Sequence, residues 1–181
     1  TTEFLDPLKQ GQETTPRKTN IIYIKNDRNL GFSGGNNVGI RNALNPPAGG
    51  GANWVLLLNN DTMPESHLVE HLRANLQGRD PAQSNPAGHQ QKGQTLSGAG
   101  GIIGLPLNEG NGTAFGGQIQ WLKPTLRHNY NEARMADTRT YVVGGAMLIH
   151  ESVFNRIGLL DEKYFLYFED SDLVKKALDV G

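Results

Sequence analysis

Two clusters of hard oxygen donors stand out in this chain: NNDT at residues 59–62 and EDSD at residues 169–172. A carboxylate with an amide carbonyl beside it, as in Asp61 and Asn59, is a donor set that holds Mg²⁺ or Mn²⁺ while water and substrate phosphates complete the shell. If strand geometry persists through the first cluster, Asn59 and Asp61 share one side and Asn60 points to the other. The same residue types also form turns and cap helices. In the second cluster, Glu169, Asp170 and Asp172 follow a run of aromatics at residues 164–168. Desolvation beside aromatic walls raises carboxylate basicity and makes a general base. Against that stands the ordinary preference for acids in a first helical turn. A third stretch, residues 29–37 (NLGFSGGNN), is glycine-rich and opens a helical pattern. Such a loop can offer backbone N–H groups to a phosphate, or simply allow close packing. Its glycines fit neither the dinucleotide fingerprint nor the P-loop.

These groups need a scaffold. Residues 55–58 are four consecutive apolar residues without alternation, which predicts a buried strand covered on both faces and suggests parallel pairing. Ligand crevices in open α/β sheets lie beyond the carboxyl ends of such strands. Residues 21–24 (IIYI) predict another strand. Residues 1–20 read as a helix fragment and a loop, and Val38, Ile40, Ala43 and Leu44 as one face of a helix. Leu68, Val69, Leu72 and Leu76 predict a helix over 65–76. Residues 79–101 are rich in Gly, Gln, Ser, Pro and Ala, and predict a long polar surface insertion within a single domain. Short strands are expected at 102–107 and 115–121, a polar excursion at 123–138, and a short helix at 151–157. Residues 141–149 are apolar around the pair Gly144 and Gly145, where a backbone can approach a ligand or another strand closely. Trp121 is a candidate for stacking on a sugar ring, or for ordinary packing.

Composition narrows the classes. With 17 basic and 18 acidic residues the net charge is −1, which gives no electrostatic reason for nucleic acid or anionic membrane as the main partner. Cysteine is absent, so disulfides and thiolate metal sites are excluded, and a reducing cytoplasm is compatible. No apolar run has the length of a membrane span. The five histidines are scattered, and His67 and His71 lack the companion pattern of a zinc site.

Four stretches in order, residues 29–37 (NLGFSGGNN), 57–62 (LLNNDT), 144–149 (GGAMLI) and 158–173 (GLLDEKYFLYFEDSDL), resemble family 2 glycosyltransferases, nearest the rhamnosyltransferase-like branch. The resemblance covers most of residues 21–181 apart from the polar insertions. It implies a GT-A-type α/β sandwich with a mostly parallel central sheet. It further implies a nucleotide-diphosphate-sugar donor, a divalent metal (Mg²⁺ or Mn²⁺), a saccharide or lipid-linked saccharide acceptor, and inverting transfer. On this resemblance Asp61 is the metal ligand with Asn59 as a neutral contact. Asn29, Gly31, Gly34, Asn36, Asn59, Asn60 and Asp61 lie by the nucleotide, Asp170 is the base, and Gly144, Gly145, Glu169 and Trp121 are acceptor-side candidates. It implies cytoplasmic work, at the inner face of the membrane for a lipid-linked acceptor. The family's first strand and its acidic motif are not found before Thr1, and residues 2–5 resemble the helix after them, so a piece of a longer enzyme is expected. A sugar-phosphate nucleotidyltransferase and a non-catalytic glycan- or protein-binding domain are the alternatives.

Overall fold

The computed structural model describes residues 2–5, 21–47, 49–76, 97–99, 101–105, 107–109, 112–114, 116–120, 125–129, 140–142 and 144–180. It is a mixed α/β structure. In chain order the elements begin with β1 (Thr2–Leu5), β2 (Ile21–Ile24), α1 (Gly31–Leu44), β3 (Trp54–Leu58) and α2 (Leu68–Leu76). Short strands follow: β4 (Ser97–Ala99), β5 (Ile102–Gly104), β6 (Leu107–Glu109), β7 (Gly112–Ala114), β8 (Gly116–Gln120), β9 (Thr125–Asn129) and β10 (Thr140–Tyr141). The chain closes with β11 (Ala146–His150), α3 (Glu151–Ile157) and α4 (Glu169–Val180).

The central sheet has the order β3-β11-β5-β4. Side chains of alternate residues divide between its two faces, as the strand period requires. Val55, Leu57, Met147, Ile149 and Ile102 join a core with Ile40 of α1, Val153 and Phe154 of α3, and Leu173, Val174 and Ala177 of α4. Trp54, Leu56, Ala146, Leu148 and Ile103 meet Leu68, Leu72 and Leu76 of α2 on the other side. The unbroken apolar run of β3 is thus explained by helices on both faces.

The direction of pairing differs from expectation. β11 runs antiparallel to β3, with Met147 opposite Leu57 and Ile149 opposite Val55, and every strand pair among the described residues is antiparallel. Continuous hydrophobicity reports that both faces are covered and is indifferent to strand polarity, so the mostly parallel sheet does not follow from it.

Three local expectations are also corrected. Residues 2–5 form a strand, paired with β2 from Thr2↔Ile24 to Leu5↔Ile21; four residues are too few for a stable helix, whereas a β-branched neighbour strand supplies a ladder. β4 places residues 97–99, expected within the polar insertion, on the edge of the central sheet. Its Ser-Gly-Ala sequence carries no apolar pattern, because an edge strand can be held through its backbone. Residues 79–96 lie outside the described residues. β9, within the expected polar excursion, pairs with β8 from Gly116↔Asn129 to Gln120↔Thr125. Among the described residues, no helix is long and apolar enough to cross a membrane.

Candidate functional site

β3 ends at Leu58, and the chain turns at once. The Asn59 carbonyl accepts the Thr62 N–H at 3.2 Å and the Thr62 hydroxyl at 2.7 Å, so Asn60 and Asp61 occupy the corner of a turn and both are exposed. The extended alternation that would put Asn59 and Asp61 on one side therefore stops before Asp61; the threonine closes the turn instead. The Asn59 N–H donates to the Gly145 carbonyl at 3.0 Å, carrying the β3–β11 pairing one step beyond the strands.

Gly144 completes the connection. Its N–H donates to Asp170 Oδ2 at 2.9 Å, and a Cβ on Gly144 would stand 3.0 Å from that oxygen and 3.1 Å from the Asp170 Cβ. A Cβ on Gly145 would stand 2.9 Å from Leu107 Cδ1. The glycine pair is a spacer of minimal thickness between the tip of β3 and the start of α4. Asn59, Gly144, Gly145 and Asp170 are thereby linked in one run of contacts, with Glu169 alongside. The other Asp170 oxygen, Oδ1, accepts the Ser171 N–H at 2.6 Å and the Ser171 hydroxyl at 3.1 Å.

Glu169 is 6 % exposed, and among the described residues its Oε2 has no hydrogen-bond partner. Burial pushes its carboxyl above the ordinary glutamate value against the pull of its own backbone N–H, with the neighbouring Asp170 charge adding to the rise. Immediately before it, Tyr167 and Phe168 both adopt φ of 70°, a left-handed conformation costing a non-glycine residue roughly 1–2 kcal/mol. Tyr164, Phe165, Leu166, Tyr167 and Phe168 are all exposed.

The glycine-rich stretch differs from the expected loop. α1 begins at Gly31, so Gly34, Gly35 and Asn36 are helical. The Gly31 N–H is taken by Asn29 Oδ1 at 2.9 Å and the Phe32 N–H by the Phe165 carbonyl at 2.8 Å. Asn36 Nδ2 donates to the Phe32 carbonyl at 2.9 Å. Gly31 has φ of 70°, and a Cβ there would stand 2.4 Å from the Phe165 oxygen; glycine is what lets residues 160–165 lie against the helix. Among the described residues, no hydrogen bond or ion pair joins Asn29, Gly31, Gly34 or Asn36 directly to the turn holding Asn60 and Asp61. Trp121 lies outside the described residues.

Sequence reasoning missed the side chains that fix this docking. Asn37, 1 % exposed, donates through Nδ2 to the Leu160 carbonyl at 2.8 Å and to Glu162 Oε1 at 3.0 Å, and accepts the Leu160 N–H at 3.1 Å. Buried Ser33 donates to the Tyr164 carbonyl at 2.6 Å. The signal was present: Ser33, Asn37, Ile40 and Leu44 recur at helical spacing, a polar pair in an otherwise apolar stripe.

These carboxyls set a pH dependence of stability in two windows. Hydrogen bonds from Asn37 and Arg41 hold Glu162 below the ordinary range, and the Lys163 N–H, helped by Lys176, does the same for Asp161. Both contribute stability that is present above their unfolded values and lost as pH falls through the folded ones. Glu169 has the opposite sign. Its folded value is raised, so its contribution is full below the unfolded glutamate value and lost as pH rises through the folded one. Thermal unfolding across this upper window is expected to show a falling midpoint in the wild type, flattened in Glu169→Gln; an equal slope in both would assign the trend elsewhere.

As a metal site the donor set is thin. Among the described residues, no three His, Asp or Glu side chains converge to hold an ion. One exposed carboxylate, Asp61, at the corner of the turn is a donor suited to a cation that brings a diphosphate with it, rather than one caged by protein alone.

The comparisons with known proteins bear on this arrangement. No protein-family model matches the chain, and no solved structure matches it. It is 30% identical over 160 residues to a low-salt glycan biosynthesis hexosyltransferase of Haloferax volcanii. The similarity is to a glycosyltransferase. It covers 87% of this chain and 46% of that protein, so the chain spans about half the length of the curated relative it matches. The similarity does not single out family 2 or a rhamnosyl branch.

Proposed function

We propose that the chain is part of an inverting glycosyltransferase that moves a sugar from a nucleotide-diphosphate donor to a saccharide or lipid-linked acceptor hydroxyl in glycan assembly. The observation that carries the reading is the glycine pair. Gly145 holds Asn59 beside the Asp61 turn and Gly144 holds Asp170, so a cation-competent carboxylate and a proton-accepting pair flank one short turn. The similarity to a hexosyltransferase supports it. The finer assignments, to family 2, a GT-A-type fold and a rhamnosyl donor, rest on the four motifs alone.

In this mechanism Asp61 would hold Mg²⁺ or Mn²⁺, with Asn59 as a neutral contact, and the ion would supply charge neutralisation for a departing diphosphate. The exposed turn leaves Asp61 accessible to the donor, while the ladder bond of Asn59 fixes the turn's base. At the other end a carboxylate of the Glu169–Asp170 pair removes the acceptor proton as the hydroxyl oxygen attacks the anomeric carbon opposite the leaving group. A single displacement inverts the configuration. Asn29, Gly31, Gly34 and Asn36 belong to the nucleotide side, with the first two N–H groups of α1 already used within the protein. Such donors and lipid-linked acceptors meet at the cytoplasmic face of a membrane.

Calorimetric titration of UDP, GDP and dTDP and their hexose conjugates, with and without Mn²⁺, tests this. Metal-dependent binding is expected, weakened about 10-fold or more by Asp61→Ala, the loss of a direct ligand to a partly hydrated ion. Binding of no nucleotide under either condition would overturn the reading in favour of a non-catalytic domain. Pyrophosphate release from a nucleoside triphosphate with a sugar phosphate would instead identify a nucleotidyltransferase.

A further inference from the structure

Residues 164–168, Tyr-Phe-Leu-Tyr-Phe, are five consecutive large side chains that are between 37 and 70 % exposed. Among the described residues, none of them belongs to either core. Their main chain is nonetheless held. The Tyr164 carbonyl accepts the Ser33 hydroxyl at 2.6 Å, the Phe165 carbonyl accepts the Phe32 N–H at 2.8 Å, and the Phe168 carbonyl accepts the Asp172 N–H at 2.9 Å. Leaving aromatic surface in water forgoes the gain of burying it. A turn that needed only its shape would take glycine at Tyr167 and Phe168, where φ is 70°. The segment therefore keeps two aromatic rings at the surface where the backbone favours a residue with none.

The run also joins two parts of the molecule assigned to the site. At one end the Phe165 ring packs on Gly31, where an added Cβ would stand 2.7 Å from its Cδ2. At the other end Phe168 lies two residues before the half-buried Asp170, which is tied to Gly144. Charge decides what can lie on such a surface. Asp161, Glu162, Glu169, Asp170 and Asp172 flank the rings, against Lys163 as the single base of residues 161–172, so an anionic lipid surface is repelled. A neutral sugar ring satisfies both features: its C–H face covers an aromatic ring, and its hydroxyls donate to carboxylates. We propose that Tyr167 and Phe168, with Phe165 at the Gly31 end, form a stacking platform for a neutral hexose ring of the acceptor, placed next to Asp170. The acceptor role rests on the glycosyltransferase reading; the sugar contact does not.

Saturation-transfer NMR on this chain, from aromatic protons to methyl glucoside, methyl mannoside and methyl galactoside, reads the contact without turnover. The wild type is expected to pass saturation to the ring C–H protons of at least one of these sugars. Tyr167→Gly and Phe168→Gly should each weaken its binding about fivefold, the scale of one stacked ring, and the double variant should show no transfer. Because glycine relieves the left-handed backbone, the thermal midpoint should hold or rise in these variants, which separates loss of the contact from loss of the fold. Tyr167→Phe keeps the ring and should keep the contact. Val69→Ala removes another exposed apolar side chain, on α2, and should change nothing.

Calorimetry with UDP-glucose, GDP-mannose and dTDP-rhamnose on the same proteins separates this platform from the transferase reading. Donor affinity is expected to stay within about twofold in both glycine variants. Nucleotide binding by the wild type with no saturation transfer to any sugar, or with transfer equal in the wild type and the folded double variant, overturns the platform alone. Transfer that the double variant loses, in a chain that binds no nucleotide, upholds the sugar contact and overturns the transferase reading with the acceptor role. Two further results overturn the platform when no sugar binds. One is sedimentation with phosphatidylcholine vesicles that the double variant loses, which would make the run a membrane contact. The other is a concentration-dependent dimer that the double variant loses, which would make it a contact between two copies of the chain.

Discussion

Asn37→Ala is expected to destabilise the chain by about 3 kcal/mol, enough to lower its thermal midpoint by roughly 10 °C for a chain of this size. The side chain is buried in α1 and satisfies both the N–H and the carbonyl of Leu160, a residue 123 positions away. Alanine would leave those two backbone groups without partners. Each such loss costs about 1–3 kcal/mol, more than the net worth of a hydrogen bond exchanged with water. Asn37→Asp is a sharper probe. It keeps an acceptor for the Leu160 N–H but sets a negative charge against the Leu160 carbonyl and Glu162, both of which now receive its amide. Urea unfolding should therefore place the aspartate variant at or below alanine. An unchanged midpoint in both would show that Asn37 does not secure residues 160–165 to the helix.

Gly144→Ala is expected to reduce turnover by about 10²-fold, the scale set by misplacing a catalytic group by about an ångström, and to destabilise by about 1–3 kcal/mol, as overpacking does. The new methyl would face three Asp170 atoms at 3.0, 3.1 and 3.3 Å. Asp170 cannot simply swing away, because its other oxygen is held by Ser171. The strain must therefore lengthen the Gly144–Asp170 bond or tilt the start of α4, displacing Asp170 in either case. Gly35→Ala is the control. A Cβ there has open space, and the exchange in a helix interior should stabilise by roughly 0.5–1 kcal/mol. Equal behaviour of the two variants, by donor consumption and thermal unfolding, would show that the glycine at 144 is not a spacer.

What the sequence made legible follows from what kind of physics each signal carries. The run at residues 55–58 disclosed a strand covered on two sides because burial is a property of the side chains themselves. It was silent on polarity because antiparallel β11 and a parallel partner would bury the same leucines. β1 was misread because its state depends on pairing with β2, a relation between segments that four residues do not encode. Of the glycines at residues 31–35, Gly31 does mark a close approach, but its partner is Phe165, whereas Gly35 has open space, and the helix began earlier than helical propensity suggests. The pair Glu169 and Asp170 was visible in the sequence as adjacent acids at a helix start; which of them is hydrogen-bonded to Gly144 and which is buried was not, since only packing decides it.

The pairing of β3 with β11 also has a kinetic consequence. Roughly ninety residues separate the partners in this register, so closing the sheet carries the entropy of a long loop before any contact rewards it, and sheets of such high contact order form slowly. The bond from Asn59 to Gly145 lies just beyond the end of that pairing. The nucleotide binding proposed above should therefore be acquired only as this long-range closure completes, later in refolding than the helical signal. A nascent chain would remain without the proposed site until residues 145–170 had emerged from the ribosome.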